Sequence, residues 1–233
     1  MGCQGWVGCS KSRGNAMDIL NYIISNWGLI VTRTGEHVAI VGVAVALAIL
    51  TGVPIGIAIS QNRRVADAVL YAASMMITIP SIALFGMMIP LLSLVGHGIG
   101  YLPAVIAVLL YSQLPIIRNT YAAIRNLDPA LREAARGMGL TRGQRLREVE
   151  LPLALPVIMT GVRLAVVMNI GVTAIAAYIG AGGLGTFISR GISQTDPRQL
   201  ITGALAVSLL AVAADLALLW LQRKLTSTGL RTR

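Results

Sequence analysis

Long apolar runs, separated by short charged turns, dominate this chain. Residues 38–59 hold 22 consecutive positions without Asp, Glu, Lys or Arg. A helix needs ~20 such residues to cross the ~30 Å hydrocarbon core of a bilayer. After the turn Gln61-Asn62-Arg63-Arg64, a second run from Ala68 to Ile117 has 50 uncharged residues. That length suits two crossings and a turn, and the three glycines of Gly96-His97-Gly98-Ile99-Gly100 favour the non-helical backbone a turn needs. The first crossing of this pair contains Pro80 and Pro90. Proline removes a helical donor and kinks the helix, which predicts a break near Ile79-Pro80-Ser81. The second crossing runs from Tyr101 to Tyr121. Residues 118–150 then turn polar, 154–178 return to apolar around a single Arg163, and glycines cluster at 180, 182, 183 and 185. A last span over 199–221 holds Asp215.

Composition sharpens this picture. Only 12% of the residues are charged and 55% are apolar, with a mean hydropathy of +0.75. Soluble domains carry ~25% charged residues, and disordered chains pair low hydrophobicity with high net charge, so both classes are excluded. The net charge of +10 suits cytoplasmic loops rich in Lys and Arg. The 5% aromatic content leaves few stacking surfaces for nucleic acid. Cys3 and Cys9 have no nearby His and make neither a metal site nor a disulfide framework.

The reading is an all-α polytopic bundle of five core transmembrane helices. The positive-inside rule puts the Arg63-Arg64 turn, the arginine-rich stretch and the C-terminal tail in the cytoplasm, and the Gly96–Gly100 turn outside. Lys11 and Arg13 oppose the external N-terminus this implies. A sixth crossing over 18–32 would reverse that, but its 15 residues reach only ~22 Å. A short N-terminal interfacial helix with Tyr22 and Trp27 near the headgroups is the better reading. Met17 offers an alternative start. The organisation expected is a tail and interfacial helix over 1–35, a permeation body over 36–223 with a cytoplasmic loop over 125–156, and a basic tail over 224–233.

The cytoplasmic loop has internal design. Asp128-Pro129 is a helix start, since Asp accepts from an orphan N–H and Pro suits the first turn. Ala130 to Arg136 are strong helix formers, and Gly137 and Gly139 end the helix. Thr141 caps a second short helix through Arg147, and Leu151-Pro152 and Leu155-Pro156 return the chain to the membrane. The run Glu133-Ala134-Ala135, three residues, Gly139, nine residues, Val149, one residue, Leu151-Pro152 resembles the "EAA" loop of ABC-importer permeases. Val149 stands where that family prefers Ile. The resemblance spans about residues 36–223. Thr78-Ile79-Pro80-Ser81-Ile82-Ala83, Pro115 to Tyr121, Asp128 to Gly139 and Ile179 to Gly185 are similar to segments of osmoprotectant permeases for glycine betaine, carnitine and choline. The glycine segment alone also occurs in methionine and phosphonate permeases.

The resemblance implies a type I importer fold in the bacterial cytoplasmic membrane with the C-terminus inside. It implies that Glu133, Ala134, Ala135, Gly139, Val149, Leu151 and Pro152 couple to cytoplasmic ABC ATPase subunits. It also implies an external substrate-binding protein and a second permease subunit, the same chain or a sister. No phosphate loop of the G-x-x-x-x-G-K-[ST] kind occurs, so ATP hydrolysis is expected in a partner chain. No paired carboxylates, metal ligands or Ser/His constellation occur either, so the chain is not expected to be an enzyme, to bind a cofactor or to hold a metal.

Pro80, Gly180, Gly182, Gly183, Gly185 and Asp215 are candidates for the translocation path or a hinge. Asp215 needs a partner in the span, with Arg163 or a helix N-terminus as candidates. Arg163 near the cytoplasmic end has room to snorkel. His97 reads as a solvated loop residue, and Met75, Met76, Met87 and Met88 read as packing. The aromatic residues form no cage for a quaternary amine, so tight recognition is expected in the binding protein. The alternatives are a permease for another small solute such as methionine, or a stand-alone secondary transporter. A lone Asp215 and five spans argue against the latter.

Overall fold

A computed structural model describes residues 16–94 and 96–225, where every regular element is helical. Cys3, Cys9, Lys11, Arg13, Arg231 and Arg233 lie outside the described residues. Helix α1 (Ala16–Ser25) is followed at Asn26 by α2 (Trp27–Ile59). The Asn26 side chain and backbone N–H both donate to the Tyr22 carbonyl, at 2.9 and 3.0 Å. The single helix expected over 18–32 is therefore divided, and its second part begins the first spanning helix. At ~1.5 Å per residue the 33 residues of α2 reach ~50 Å, beyond a bilayer core.

Helices α3 (Arg63–Thr78) and α4 (Ser81–Ser93) meet at a 96° bend. The break falls where proline predicted it. Ile79 is extended, at φ −67° and ψ 126°, because the ring of Pro80 disfavours helical geometry in the residue before it. The carbonyl released at Ile79 is taken up by the Tyr111 hydroxyl, which donates to it. Helix α5 (Tyr101–Arg125) crosses next, then the short α6 (Pro129–Gly137) and α7 (Arg142–Arg145).

The second short helix does not stop at Arg147. A π-turn (Leu146–Glu150) joins α7 to α8 (Leu151–Thr173), which tightens into a 3-10 turn (Ala174–Ile179). Residues Arg142–Ile179 therefore form one helical unit of 38 residues. Pro152, which brings the chain back towards the membrane, falls in the first turn of α8, where Pro is well tolerated. The π-turn bridges the join, with the Leu151 N–H reaching back to the Leu146 carbonyl. Helices α9 (Gly185–Ser193) and α10 (Pro197–Leu225) complete the chain.

Four helical units, α2, α5, Arg142–Ile179 and α10, are long and apolar enough to span a membrane, and the bent pair α3–α4 makes a fifth candidate. Helices α2, α5 and α8 form the centre. Small residues permit the approach that dispersion packing in lipid requires. A methyl at Gly56 would lie 2.6 Å from Thr120 Cβ, and one at Gly161 2.6 Å from Asn119 Cβ. The core is mostly aliphatic, with Ile40, Ala44 and Val108 around Phe85 in one cluster and Val41, Val45, Ile116 and Val162 in another. Met88 packs on the first cluster, whereas Met75 and Met87 face outward.

Candidate functional site

Chemistry collects at the two ends of the bundle. One end carries the α6–α7 hairpin. The Asp128 side chain accepts from the Ala130 N–H at 2.9 Å, with Pro129 in the first turn. The helix closes on Gly139 at φ +78°, a left-handed conformation that side chains resist, while the Leu140 N–H donates to the Ala135 carbonyl. Thr141 and Gln144 form a reciprocal capping box that starts α7.

The seven loop residues named from the sequence divide by exposure. Glu133, Ala134, Gly139 and Pro152 are exposed, Val149 and Leu151 are half-buried in the join to α8, and Ala135 is 1% exposed. The sequence reading did not identify what ties the hairpin to the bundle. Glu150, 7% exposed, accepts from Arg145 Nε at 2.9 Å and lies 3.4 Å from Arg132 Nε. Arg132 also donates to the Ile124 carbonyl at the end of α5. One carboxylate thus fastens both arms of the hairpin, a role that requires a charge held with its partners in a desolvated site.

At the other end the glycine cluster packs on α2. Gly180, Gly182 and Gly183 have φ of +77°, +79° and +73°. This backbone presents consecutive N–H groups to two neighbouring side chains. Glu36 Oε2 accepts from the Gly183 N–H at 2.8 Å, and His37 Nδ1 accepts from the Leu184 N–H at 3.3 Å. His37 is fully buried, and its Nε2 lies 2.9 Å from the Ile170 carbonyl. A carbonyl only accepts, so Nε2 carries the proton and Nδ1 is left free to accept. Arg33 pairs with Glu36 at 2.8 Å. The Gly100 N–H donates to the Ile179 carbonyl at 2.9 Å, which brings the 96–100 turn to the same place. His97 is exposed.

Arg33, Glu36 and His37 escaped the sequence reading because the span was begun at Val38. An ionisable residue inside a spanning helix was the available signal. Pro80 lies exposed at the α3–α4 break and makes none of the polar contacts described at either end. Of the two partners considered for Asp215, the structure supplies Arg163: its Nη2 is 2.8 Å from Asp215 Oδ1, and its Nη1 reaches Gln222 at 3.2 Å. Gln222 in turn donates to the Pro156 carbonyl at 2.9 Å. This network pins α10 to α8.

The sequence matches the family described as binding-protein-dependent transport system inner membrane component over residues 40–227. It is 57% identical to the osmoprotectant import permease protein OsmW of Salmonella typhimurium over 215 residues, covering 92% of this chain and 100% of that one. It is 38% identical to the glycine betaine/carnitine/choline transport system permease protein OpuCB of Bacillus subtilis, covering 91% of this chain and 96% of that one. Its fold is similar to that of the MetNI methionine ABC transporter in an inward-facing conformation. The TM-score is 0.77, with 27% identity, and the match covers 87% of this chain and 99% of that one.

Proposed function

The chain belongs to the inner membrane components of binding-protein-dependent transport systems, and from that membership we propose that it is the permease through which an ATP-driven importer admits a small osmoprotectant. The substrates are quaternary amines of the glycine betaine, choline and carnitine kind. The observation that carries this reading is the 57% identity to an osmoprotectant permease over nearly the whole chain.

The hairpin end faces the cytoplasm, as the arginines of 118–147 and the Arg63-Arg64 turn support through the positive-inside rule. The C-terminus lies on the same side. There the exposed Glu133, Ala134 and Gly139 surface of α6 seats in an ATPase subunit, with small residues permitting close approach. Val149, Leu151 and Pro152 carry the movement into α8, and Ala135 anchors α6 to the body. An external binding protein delivers substrate at the glycine end, and a second permease subunit completes the pathway. Gly180, Gly182, Gly183 and Gly185 form the hinge of that end, Pro80 breaks the α3–α4 span, and Asp215 holds α10 in register.

Reconstitution with the ATPase and binding protein in proteoliposomes tests this. Labelled glycine betaine, choline or carnitine is expected to accumulate only with ATP on the hairpin side, and methionine is not. The double variant Glu133→Ala/Gly139→Val should lose at least ~90% of uptake together with substrate-stimulated ATP hydrolysis. Accumulation without ATP, or unchanged uptake by the double variant, overturns the assignment.

A further inference from the structure

The side of α6 that carries Arg132 and Arg136 borders a cleft of about 450 Å³, set between the hairpin and the ends of α2 and α5. That volume falls within the ~300–1,000 Å³ of small-molecule sites. Arg125, Arg132, Arg136, Arg142 and Arg145 line it, with Glu150 as its one acid. Glu150 is already committed to Arg145 and Arg132. Arg125, Arg136 and Arg142 have no acidic partner among the described residues. Ile57 and Ile124 supply apolar wall beside them.

Three guanidinium groups on one cleft, none with an acidic partner among the described residues, call for an anion with several acceptor oxygens. A tetrahedral phosphate supplies them in the geometry that guanidinium forks match. The cleft opens where the apolar runs of α2 and α5 finish, the level at which basic pockets between spanning helices meet lipid headgroups. Dissolved phosphate reaches the same mouth.

We infer that this cleft binds a phosphate group, carried by an anionic phospholipid headgroup or by a soluble phosphate anion. It is separate from the exposed Glu133 and Ala134 surface and needs no ATPase contact.

The test uses the assembled permease–ATPase complex in nanodiscs. Two probes are applied: inorganic phosphate in phosphatidylcholine discs, and phosphatidylglycerol added to those discs. The wild-type complex is expected to bind at least one probe tenfold or more tightly than the variant Arg125→Gln/Arg136→Gln/Arg142→Gln. The control Arg63→Gln/Arg64→Gln, exposed at the start of α3 and outside the cleft lining, should match the wild type. A preference confined to phosphatidylglycerol assigns the headgroup, and one confined to phosphate assigns the soluble anion. Equal binding by the wild type and the triple variant overturns the inference. If the triple variant does not assemble, phenylglyoxal modification of the wild-type complex decides. Protection of Arg125, Arg136 and Arg142 by either probe supports the site, and no protection by either overturns it.

Discussion

The hairpin end and the glycine end solve the same problem, holding a connecting segment against the bundle, by different physics. At the hairpin end, side chains do the fastening. Glu150 gathers Arg132 and Arg145, and Thr141 and Gln144 cap a helix. At the glycine end, backbone N–H groups of Gly183 and Leu184 are presented to Glu36 and His37, and the space for this exists only because no β-carbon fills it. The first arrangement is sensitive to loss of charge, the second to added volume. The hairpin therefore keeps exposed surface on α6, whereas the opposite end is closed by close backbone approach.

The sharpest way to break this contrast is Gly185→Ala. A methyl there would lie 2.6 Å from the Ala174 carbonyl carbon and 2.8 Å from its Cα, with backbone on the receiving side. The expected cost is about 3 kcal/mol or more, read as a drop in the detergent-solubilised unfolding midpoint. A neutral result would show that volume does not govern the glycine end. Glu150→Ala comes next. Breaking a fully buried ion pair costs roughly 3–5 kcal/mol. Because the Arg132 side chain is 27% exposed, about 2 kcal/mol is expected here. Protease nicking within 125–150 should rise while α10 stays protected.

Gly139→Ala asks whether the hairpin also relies on backbone freedom. Its φ of +78° predicts a loss of about 1 kcal/mol, with open space around the new methyl, so conformation alone is measured. The smallest effect concerns Asp196, which caps α10 near the glycine end through the Arg198 N–H at 3.0 Å. Hydrogen bonds from Arg198 hold its carboxyl below the ordinary value. Its contribution is complete above the ordinary carboxylate value and fades as pH falls through the lowered one. Amide exchange in the first turn of α10, corrected for intrinsic rate, should accelerate on that acidification and stay flat between pH 6 and 8.

Short-range signals made one end legible in the sequence. Asp128-Pro129, Gly139 and Thr141 act on residues two to five positions away, and the hairpin formed where they placed it. The Pro80 break and the Arg163–Asp215 pair were legible for a related reason, since a spanning helix leaves few polar choices. Glu36 and His37 were legible only as ionisable residues within a spanning helix, and their partners, 147 residues along the chain, were not legible at all. The continuity from Arg142 to Ile179 was also missed. The second short helix was expected to end at Arg147, and the π-turn that carries it on into α8 has no short-range signal in the sequence.

That continuity has a mechanical consequence. The unit from Arg142 to Ile179 has 38 residues, ~57 Å at helical rise, and no loop interrupts it. Its arginine-bearing foot and its far tip, beside the imidazole that grips Ile170 and Leu184, therefore belong to one continuous helical element and cannot be displaced independently. Partway along it, at Gly161, the neighbouring helix lies too close to leave room for even a methyl group.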